Sequence, residues 1–465
     1  MNPIDLTGIG SDTICAVSTP HGRGGIAVIR VSGPQALEIV QNRWQGKPLA
    51  DMASHTVHLG HLTDTSGDVL DQAVLTVYRA PNSFTGEDVV ELACHGSTWI
   101  QQQAVQTLID AGCRHATAGE FTRRAFANGR MDLSQAEAVA DVIEAQSRAA
   151  HHVAMSQMRG RYSDELKGLR DKLLHFVALI ELELDFSEED VTFADRSEVT
   201  TLARDIHSLI SRLADSYSEG NAIRNGIPVA IVGQTNAGKS TLLNALLRDD
   251  RALVSNIHGT TRDTIEDTVV MQGTLFRFID TAGIRQSSET VEQMGIERTW
   301  QAIDKANIVL WVVDVTSADT SMSSDILGRC EGKALITALN KTDLDDDYAA
   351  RSELNNILPE DTPVVAISAK HESDVEALRS LIVEAAALPN VDSDAVIVSN
   401  ARHYQALTRA RDAIARAIEG LDNDLSGDLL DQDIRECLHW LGEITGEITT
   451  DNILGEIFAH FCIGK

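Results

Sequence analysis

VAIVGQTNAGKST, residues 229–241, decides the fold: a run of buried-strand residues breaks into a glycine-rich loop and then into a helix start. Gly233 through Ser240 fits G-x-x-x-x-G-K-S, the spacing that turns successive backbone N–H groups inward to form an anion nest at a helix N-terminus. In that arrangement Gly233, Ala237 and Gly238 shape the loop, Lys239 reaches the β- and γ-phosphates, and Ser240, with Thr241 behind it, offers a hydroxyl to Mg²⁺. Such a loop alone is compatible with an accidental glycine turn.

Downstream segments remove that ambiguity. HGTTRD at 258–263 supplies Thr260 or Thr261 as a second Mg²⁺ ligand. DTAG at 280–283 ends an alternating strand, with Asp280 expected to hold Mg²⁺ through water and Thr281, Ala282 and Gly283 to line the γ-phosphate. NKTD at 340–343 and SAK at 368–370 follow two further strands. Asn340, Lys341 and Asp343, with Ser368, Ala369 and Lys370, then make a base pocket. The Asp343 carboxylate accepts from the two donors on a guanine edge, a pair adenine lacks. Each segment falls at the carboxyl end of a strand, where open α/β sheets bind ligands. The strands (PVAIVG, LFRFID, IVLWVVD, ALITALN and VVAIS) are nearly all apolar on both faces, as a covered, mostly parallel sheet requires. A GTP-binding α/β domain is therefore expected over residues 226–384.

Hydrolysis is less direct. The position after DTAG, where many small GTPases place a water-orienting Gln, is Ile284. Asn236 could ligate a monovalent cation beside the phosphates, or it could simply shape the loop as an Asx turn. Glu292, at the start of the next helical stretch, could position water or complement the helix dipole.

Away from this domain the texture changes. Residues 1–125 mix short β-like runs (ICAVS, IAVIRVS, AVLTVY) with turns and one helix ending near Gly112, an α+β pattern. Residues 126–225 and 385–465 carry apolar residues at helical spacing, opened by the capping-box spacing Ser134-x-x-Glu137. The expected architecture is multidomain α/β: an N-terminal α+β domain, then a discontinuous helical domain interrupted by the GTPase domain.

The 465 residues carry a formal charge of −30 and six cysteines with no CxxC pair. That balance disfavours a broad phosphate-tracking surface and fits reduced thiols. The N-terminus MNPIDLTGIGSD lacks a leader pattern, and no apolar run reaches membrane-spanning length. A cytoplasmic location is expected. His55, His58 and His61, in turn-rich surroundings, have no evident carboxylate partner for zinc.

TPHGRGGIAVIRVSG, PNSFTGEDVVEL, GEFTRRAFANGRMDLSQAEAVADVI, VGQTNAGKSTLLNAL, GTTRD, DTAGIR and the terminal FCIGK together resemble, over the full length, the MnmE (TrmE) family of bacterial tRNA uridine 5-carboxymethylaminomethyl modification GTPases. The resemblance implies that the N-terminal domain dimerises and binds a tetrahydrofolate one-carbon derivative (5,10-methylene or 5-formyl) through Arg30, Glu87, Arg130 and Lys465. Arg130 stands where the family usually has Lys. It implies a chemical role for Cys462 near that site, against the ordinary alternative of an inert thiol. It implies K⁺ held by Asn236 and by loop carbonyls of Ser255, Ile257 and Thr260, Mg²⁺ on Ser240 and Thr261, and a water-orienting Glu292. It also implies a homodimer that joins the FAD-containing MnmG (GidA) in a heterotetramer or larger assembly. Together they act on C5 of the wobble uridine (position 34) of tRNA held largely by the partner. The residues themselves are consistent with this. Arg30 is unusual within an alternating strand unless its charge meets an anion, the ordinary alternative being a strand-edge salt bridge. Glu87, in a Thr-Gly-Glu-Asp turn, could bond a pterin amidine edge or be a solvated turn acid. Arg123, Arg124 and Arg130 read as one basic patch on an acidic chain. The competing reading is a regulatory or ribosome-assembly GTPase that modifies nothing.

Overall fold

The structure is a computed structural model that describes residues 12–185, 196–248, 267–279, 292–317, 323–344, 354, 357–359, 361–386, 395–423, 425, 427–459 and 461–464. The chain divides into two compact units, one of residues 1–140, 156–209 and 406–465, the other of residues 141–155 and 210–405.

The first unit opens with a seven-stranded sheet: β1 (Ile14–Val17), β2 (Ile26–Ser32), β3 (Trp44–Gln45), β4 (Thr56–Thr63), β5 (Val69–Tyr78), β6 (Val89–His95) and β7 (Arg114–His115), in the order β3-β4-β5-β6-β2-β1-β7. Only β1 and β7 pair in parallel; the other neighbours are antiparallel. Alternation assigns Ile29, Val31, Leu75, Val77, Val90 and Leu92 to one face, where they are buried with residues of helices α1 (Ala36–Gln41) and α2 (Thr98–Asp110). Helix α2 buries Gln101, Ala104, Thr107 and Leu108, a helical period, and gives way at Gly112, whose φ of +118° suits the left-handed residue after a helix. The opposite face leaves Ile26, Val57 and Leu59 exposed at 68%, 62% and 65%.

Next come α3 (Glu120–Ala127), α4 (Leu133–Glu144), α5 (Arg148–Met158), α6 (Arg161–Asp185), α7 (Arg196–Asp215) and α8 (Tyr217–Asn225). The expected cap of α4 is displaced by two residues. Asp132, not Ser134, caps the helix: its Oδ1 accepts from Gln135 N at 2.9 Å, while Gln135 Oε1 accepts from Asp132 N at 3.0 Å. The aspartate wins because it lies outside the helix, free to turn its oxygen onto the third backbone N–H. His58 and His61 also differ from expectation. They sit within β4 rather than in turns, with Thr56 Oγ1 2.9 Å from His58 Nε2.

The second unit holds a six-stranded sheet of β8 (Ile227–Val232), β9 (Asp267–Met271), β10 (Thr274–Phe278), β11 (Ile308–Asp314), β12 (Ala334–Asn340) and β13 (Val364–Ala366), in the order β13-β12-β11-β8-β10-β9. All pairings are parallel except β9 with β10. Its helices are α9 (Lys239–Leu246), α10 (Glu292–Lys305), α11 (Ser323–Arg329) and α12 (Glu372–Ala385). Two apolar layers cover the sheet. One, under α9 and α12, contains Val229, Leu242, Leu246, Phe276, Leu378 and Ile382; the other, under α10 and α11, contains Val232, Ile303, Val309, Trp311 and Ile326. Burial on both sides is why β8, β11 and β12 read as nearly unbroken apolar runs. Chain order reverses at β8, so the loop after it opens at a topological switch point.

Three helices close the chain: α13 (Ala401–Asp422), α14 (Gly427–Thr445) and α15 (Asp451–Ala459). The tail beyond α15 is docked, not frayed. Phe458 and Phe461 are buried with their rings 5.2 Å apart, and Ile463 forms an antiparallel bridge with Ala118. Ser18 Oγ donates to Gly464 O at 3.1 Å. Gly464 has φ +98°, and a Cβ there would stand 2.3 Å from Val17 O, so no other residue fits without displacing β1.

Candidate active site

Strand β8 delivers the chain to Gly233, where φ is +145° and an added Cβ would stand 2.2 Å from Val312 O. The loop tightens through Ala237 N donating to Gln234 O at 3.2 Å, with Asn236 left-handed at φ +67° and exposed. Gly238, at φ +97°, precedes α9, and its missing Cβ would lie 2.1 Å from Asn340 Nδ2. The Lys239 ammonium bends back over the loop and donates to Gly233 O and Gln234 O, both at 2.7 Å. Burial pushes its pKa down. Among the described residues no carboxylate pairs with this ammonium, so a half-desolvated cation faces a loop at a helix N-terminus. A phosphate fits that chemistry. Ser240 and Thr241 lie exposed in the first turn of α9, where a hydroxyl can serve a phosphate-bound Mg²⁺.

Strand β12 ends on Asn340, which is buried and ties two loops together. Its Nδ2 donates to Ala237 O at 2.8 Å, and its Oδ1 accepts from Ala369 N at 3.0 Å. Three residues on, Asp343 Oδ1 accepts from Ser368 Oγ at 2.9 Å and Oδ2 from Lys370 Nζ at 3.3 Å. The Ser368 hydroxyl, aided by the Lys370 ammonium, holds the Asp343 carboxyl below the usual carboxylate range. Ser368 is itself fixed by its N–H to Asp374 Oδ2 at 2.9 Å. The segments around 233–241, 340–343 and 368–370, far apart in sequence, thus form one cradle. An ionised acceptor stands at one end and an ammonium at the other. Ser255, Ile257, Thr260, Thr261, Asp280, Thr281, Ala282 and Gly283 lie outside the described residues, as does the Glu292 side chain, although its backbone opens α10.

A second cluster lies in the first unit. Arg30 faces Glu91 across β2 and β6, with Nε and Nη2 at 2.9 and 2.8 Å from Glu91 Oε1. Its guanidinium lies 5.2 Å from the Phe84 ring centroid and 5.6 Å from that of Phe121. Tyr78 OH also reaches Glu91, at 3.4 Å, and its pKa is raised by burial and by that carboxylate. Glu87 accepts from Ser32 Oγ at 2.6 Å and from Arg124 Nη1 at 3.1 Å. The Arg130 side chain passes over Gly86, where an added Cβ would stand 3.2 Å from Arg130 Cγ, and Arg130 itself is exposed.

The basic patch expected of Arg123, Arg124 and Arg130 does not form as such. Arg124 is 0% exposed and pairs with Asp12, Glu87 and Glu120, because a guanidinium inside a fold must be matched by carboxylates. Arg123 is half-buried. Cys462 is exposed on the docked tail, unlike the other five cysteines. Lys465 lies outside the described residues. Sequence reasoning missed Glu91, Phe84, Ser32 and Asp314. Glu91 had a signal, since aligning β2 against β6 places it opposite Arg30. Among the described residues no cluster of three His, Cys, Asp or Glu could hold a metal, and no helix is long and apolar enough to cross a membrane.

Comparison with known proteins fits this geometry. Residues 13–130 match the family model described as "GTP-binding protein TrmE N-terminus", and residues 133–462 match that of the "MnmE helical domain". A tRNA modification GTPase MnmE of Bacteroides thetaiotaomicron is 53% identical over 464 residues, covering 98% of this chain and 99% of that one. The chain belongs to the MnmE family. Its likeness to the MnmE of Parabacteroides distasonis is 52% over 462 residues, covering 97% of this chain and 100% of that one. Among solved structures, Aquifex aeolicus Era bound to GDP·AlF4⁻ is 26% identical with a TM-score of 0.27, over 40% of this chain and 65% of that one. As an MnmE-family GTPase the protein hydrolyses GTP, and Mg²⁺ is the metal that accompanies GTP in such enzymes.

Proposed function

We propose that this GTPase acts in tRNA modification, coupling K⁺-dependent GTP hydrolysis to installation of a carboxymethylaminomethyl-type group at C5 of the wobble uridine (position 34). The one-carbon unit comes from a tetrahydrofolate derivative, 5,10-methylene or 5-formyl, and an FAD-containing MnmG partner shares the chemistry. One observation carries the reading. The likeness to MnmE runs unbroken through both units, so the phosphate cradle and the Arg30–Glu87–Arg130 cluster belong to one family's machinery.

The nucleotide roles follow. Gly233 through Thr241 hold the phosphates, with Lys239 on the β- and γ-oxygens. Ser240 and Thr261 hold Mg²⁺. Asn340, Lys341, Asp343, Ser368, Ala369 and Lys370 enclose guanine. Asn236, Ser255, Ile257 and Thr260 hold K⁺, which supplies the positive charge that an arginine finger gives elsewhere. Glu292 orients the attacking water in place of the Gln that Ile284 replaces. The left-handed, exposed Asn236 next to Lys239 supports this assignment.

In the first unit, Arg30, Glu87, Arg130 and Lys465 hold folate, and the partly exposed Phe84 ring beside Arg30 suits a flat heterocycle. The exposure of Cys462 on the docked tail supports a chemical role for it. The exposed Val57 and Leu59, neighbours on one face of β4, support a homodimer, since adjacent exposed apolar side chains on a sheet are suited to cover by a second copy. The domains are residues 1–125, 126–225 with 385–465, and 226–384. With a formal charge of −30 the chain leaves most of the tRNA contact to its partner in the cytoplasm.

The test is the nucleoside composition of tRNA from cells lacking this chain. Loss of the modified wobble uridine is expected, and unchanged nucleosides would refute the reading. GTP turnover of Asn236→Ala in K⁺ and Na⁺ buffers tests the cation: the native protein should respond to the exchange and the variant should not.

A further inference from the structure

We infer that Asp314 is a positioning residue of the guanine pocket, holding Lys341 so that its stem walls one face of the base. This rests on the pocket proposed above and adds to it a residue from a different strand. Asp314 is the last residue of β11, in register beside Asn340 at the end of β12. Its two oxygens have separate tasks. Oδ1 accepts from Thr316 N at 3.0 Å and from Thr316 Oγ1 at 2.7 Å, which fixes the carboxylate plane. Oδ2 accepts from Lys341 Nζ at 2.5 Å.

The Lys341 side chain therefore does not point at a phosphate. It is anchored at its far end to the neighbouring strand, and its backbone is left-handed at φ +70°, with Leu344 N closing the turn onto Lys341 O at 2.9 Å. The anchor is well sheltered: the Asp314 side chain is 13% exposed and that of Lys341 30%. Burial alone would raise the Asp314 pKa, but the bonds from Lys341 and Thr316 bring it below the usual carboxylate range. The acceptor therefore stays ionised at neutral pH.

Lys341 lies between Asn340, which is tied to the phosphate loop, and Asp343, which reads the base edge. A lysine held at both ends there presents four methylenes as a fixed apolar surface. A free lysine would have to lose its rotamer freedom each time a nucleotide entered. Asp314 touches no part of the nucleotide; its effect passes through Lys341. A wall against the face of a purine cannot sense the edge, so the contribution is to affinity and not to base choice.

The experiment uses the full-length protein and fluorescently labelled GDP and GTP. Asp314→Asn should weaken both nucleotides by about tenfold, the scale of one charge-assisted hydrogen bond. Lys341→Met should do the same, and the double variant should be no weaker than Lys341→Met alone. A purely structural role for Asp314 would instead add its own loss in the Lys341→Met background, and that additivity would overturn the inference, as would an Asp314→Asn protein within twofold of native. If circular dichroism shows that Asp314→Asn is unfolded, Thr316→Val takes its place. That variant keeps the backbone donor and should weaken binding severalfold only when Lys341 is present.

The pocket itself is tested separately by Asp343→Asn. That change should shift preference to xanthosine diphosphate, whose carbonyl replaces the guanine amino group. Retained guanine preference would overturn the pocket assignment. A shifted preference together with additive losses would overturn only the role given to Asp314.

Discussion

Replacing Glu120 with glutamine should unfold the first unit at markedly milder conditions. Glu120 is 1% exposed and accepts from Arg114 Nη2 at 2.5 Å, Arg124 Nη2 at 3.1 Å and Thr117 N at 2.8 Å. Burial alone would raise its pKa, yet the bonds from Arg114, Thr117 and Arg124 outweigh it and bring the carboxyl from 4.5 down to about 2. At about 1.4 kcal/mol per unit, that gap corresponds to about 3 kcal/mol of stability at neutral pH. The sign follows from a folded value lying below the unfolded one. The contribution is fully present above about pH 4.5 and disappears as pH falls toward 2. Glutamine keeps the volume but turns an amide donor toward two guanidiniums, so about 3 kcal/mol should be lost at pH 7.5. For a unit of this size that is a fall in Tm of roughly 6–12 °C. The assay is differential scanning calorimetry of native and Glu120→Gln protein at pH 7.5, repeated at pH 3. The difference should shrink at the acid end. A shift below 2 °C at pH 7.5, or one that does not shrink with acid, would refute the reasoning.

Three further outcomes are expected. Gly238→Ala forces a Cβ to within 2.1 Å of Asn340 Nδ2 at a φ of +97°, and should weaken GDP binding roughly 100-fold by equilibrium titration; tight binding would show that the loop can move aside. Gly464→Val drives a side chain into Val17 O and should release the tail, seen as loss of Phe461 amide protection in hydrogen exchange; unchanged protection would count against docking. Cys462→Ser should leave GTP turnover within about twofold while wobble-uridine modification falls at least tenfold, a separation expected for an exposed thiol in the other unit; full modification by the serine variant would remove the thiol from the chemistry.

Much of the cradle formed by residues 233–241, 340–343 and 368–370 was legible because its parts are local. The loop from Gly233 to Ser240, the turn after Asn340 and the Ser368–Lys370 segment each show in a few residues what their backbone must do. Strand β9 escaped notice because Asp267–Met271 is a short antiparallel edge, without the two-sided apolar pattern of its neighbours. The cap of α4 was misread because two capping-box spacings overlap at 132–137, and only geometry chooses Asp132. What the sequence could not reveal were partners distant along the chain. Arg124 reads as a surface charge until Asp12, 112 residues away, and Glu87, 37 away, close around it. Lys341 reads as part of a local motif until Asp314, 27 residues earlier, claims its ammonium. Local spacing encodes backbone shape; it does not encode which buried charge answers which.

The docking of the tail also bears on folding kinetics. The bond from Ser18 to Gly464 joins residues 446 positions apart, and an open chain pays loop-closure entropy for every such join. Contacts of this span slow folding far more than they add stability. Collapse of the intervening 210–405 unit shortens the loop still to be closed, so the economical route seats the last few residues against β1 at the end. Refolding followed at the tail should therefore lag refolding followed at the nucleotide cradle.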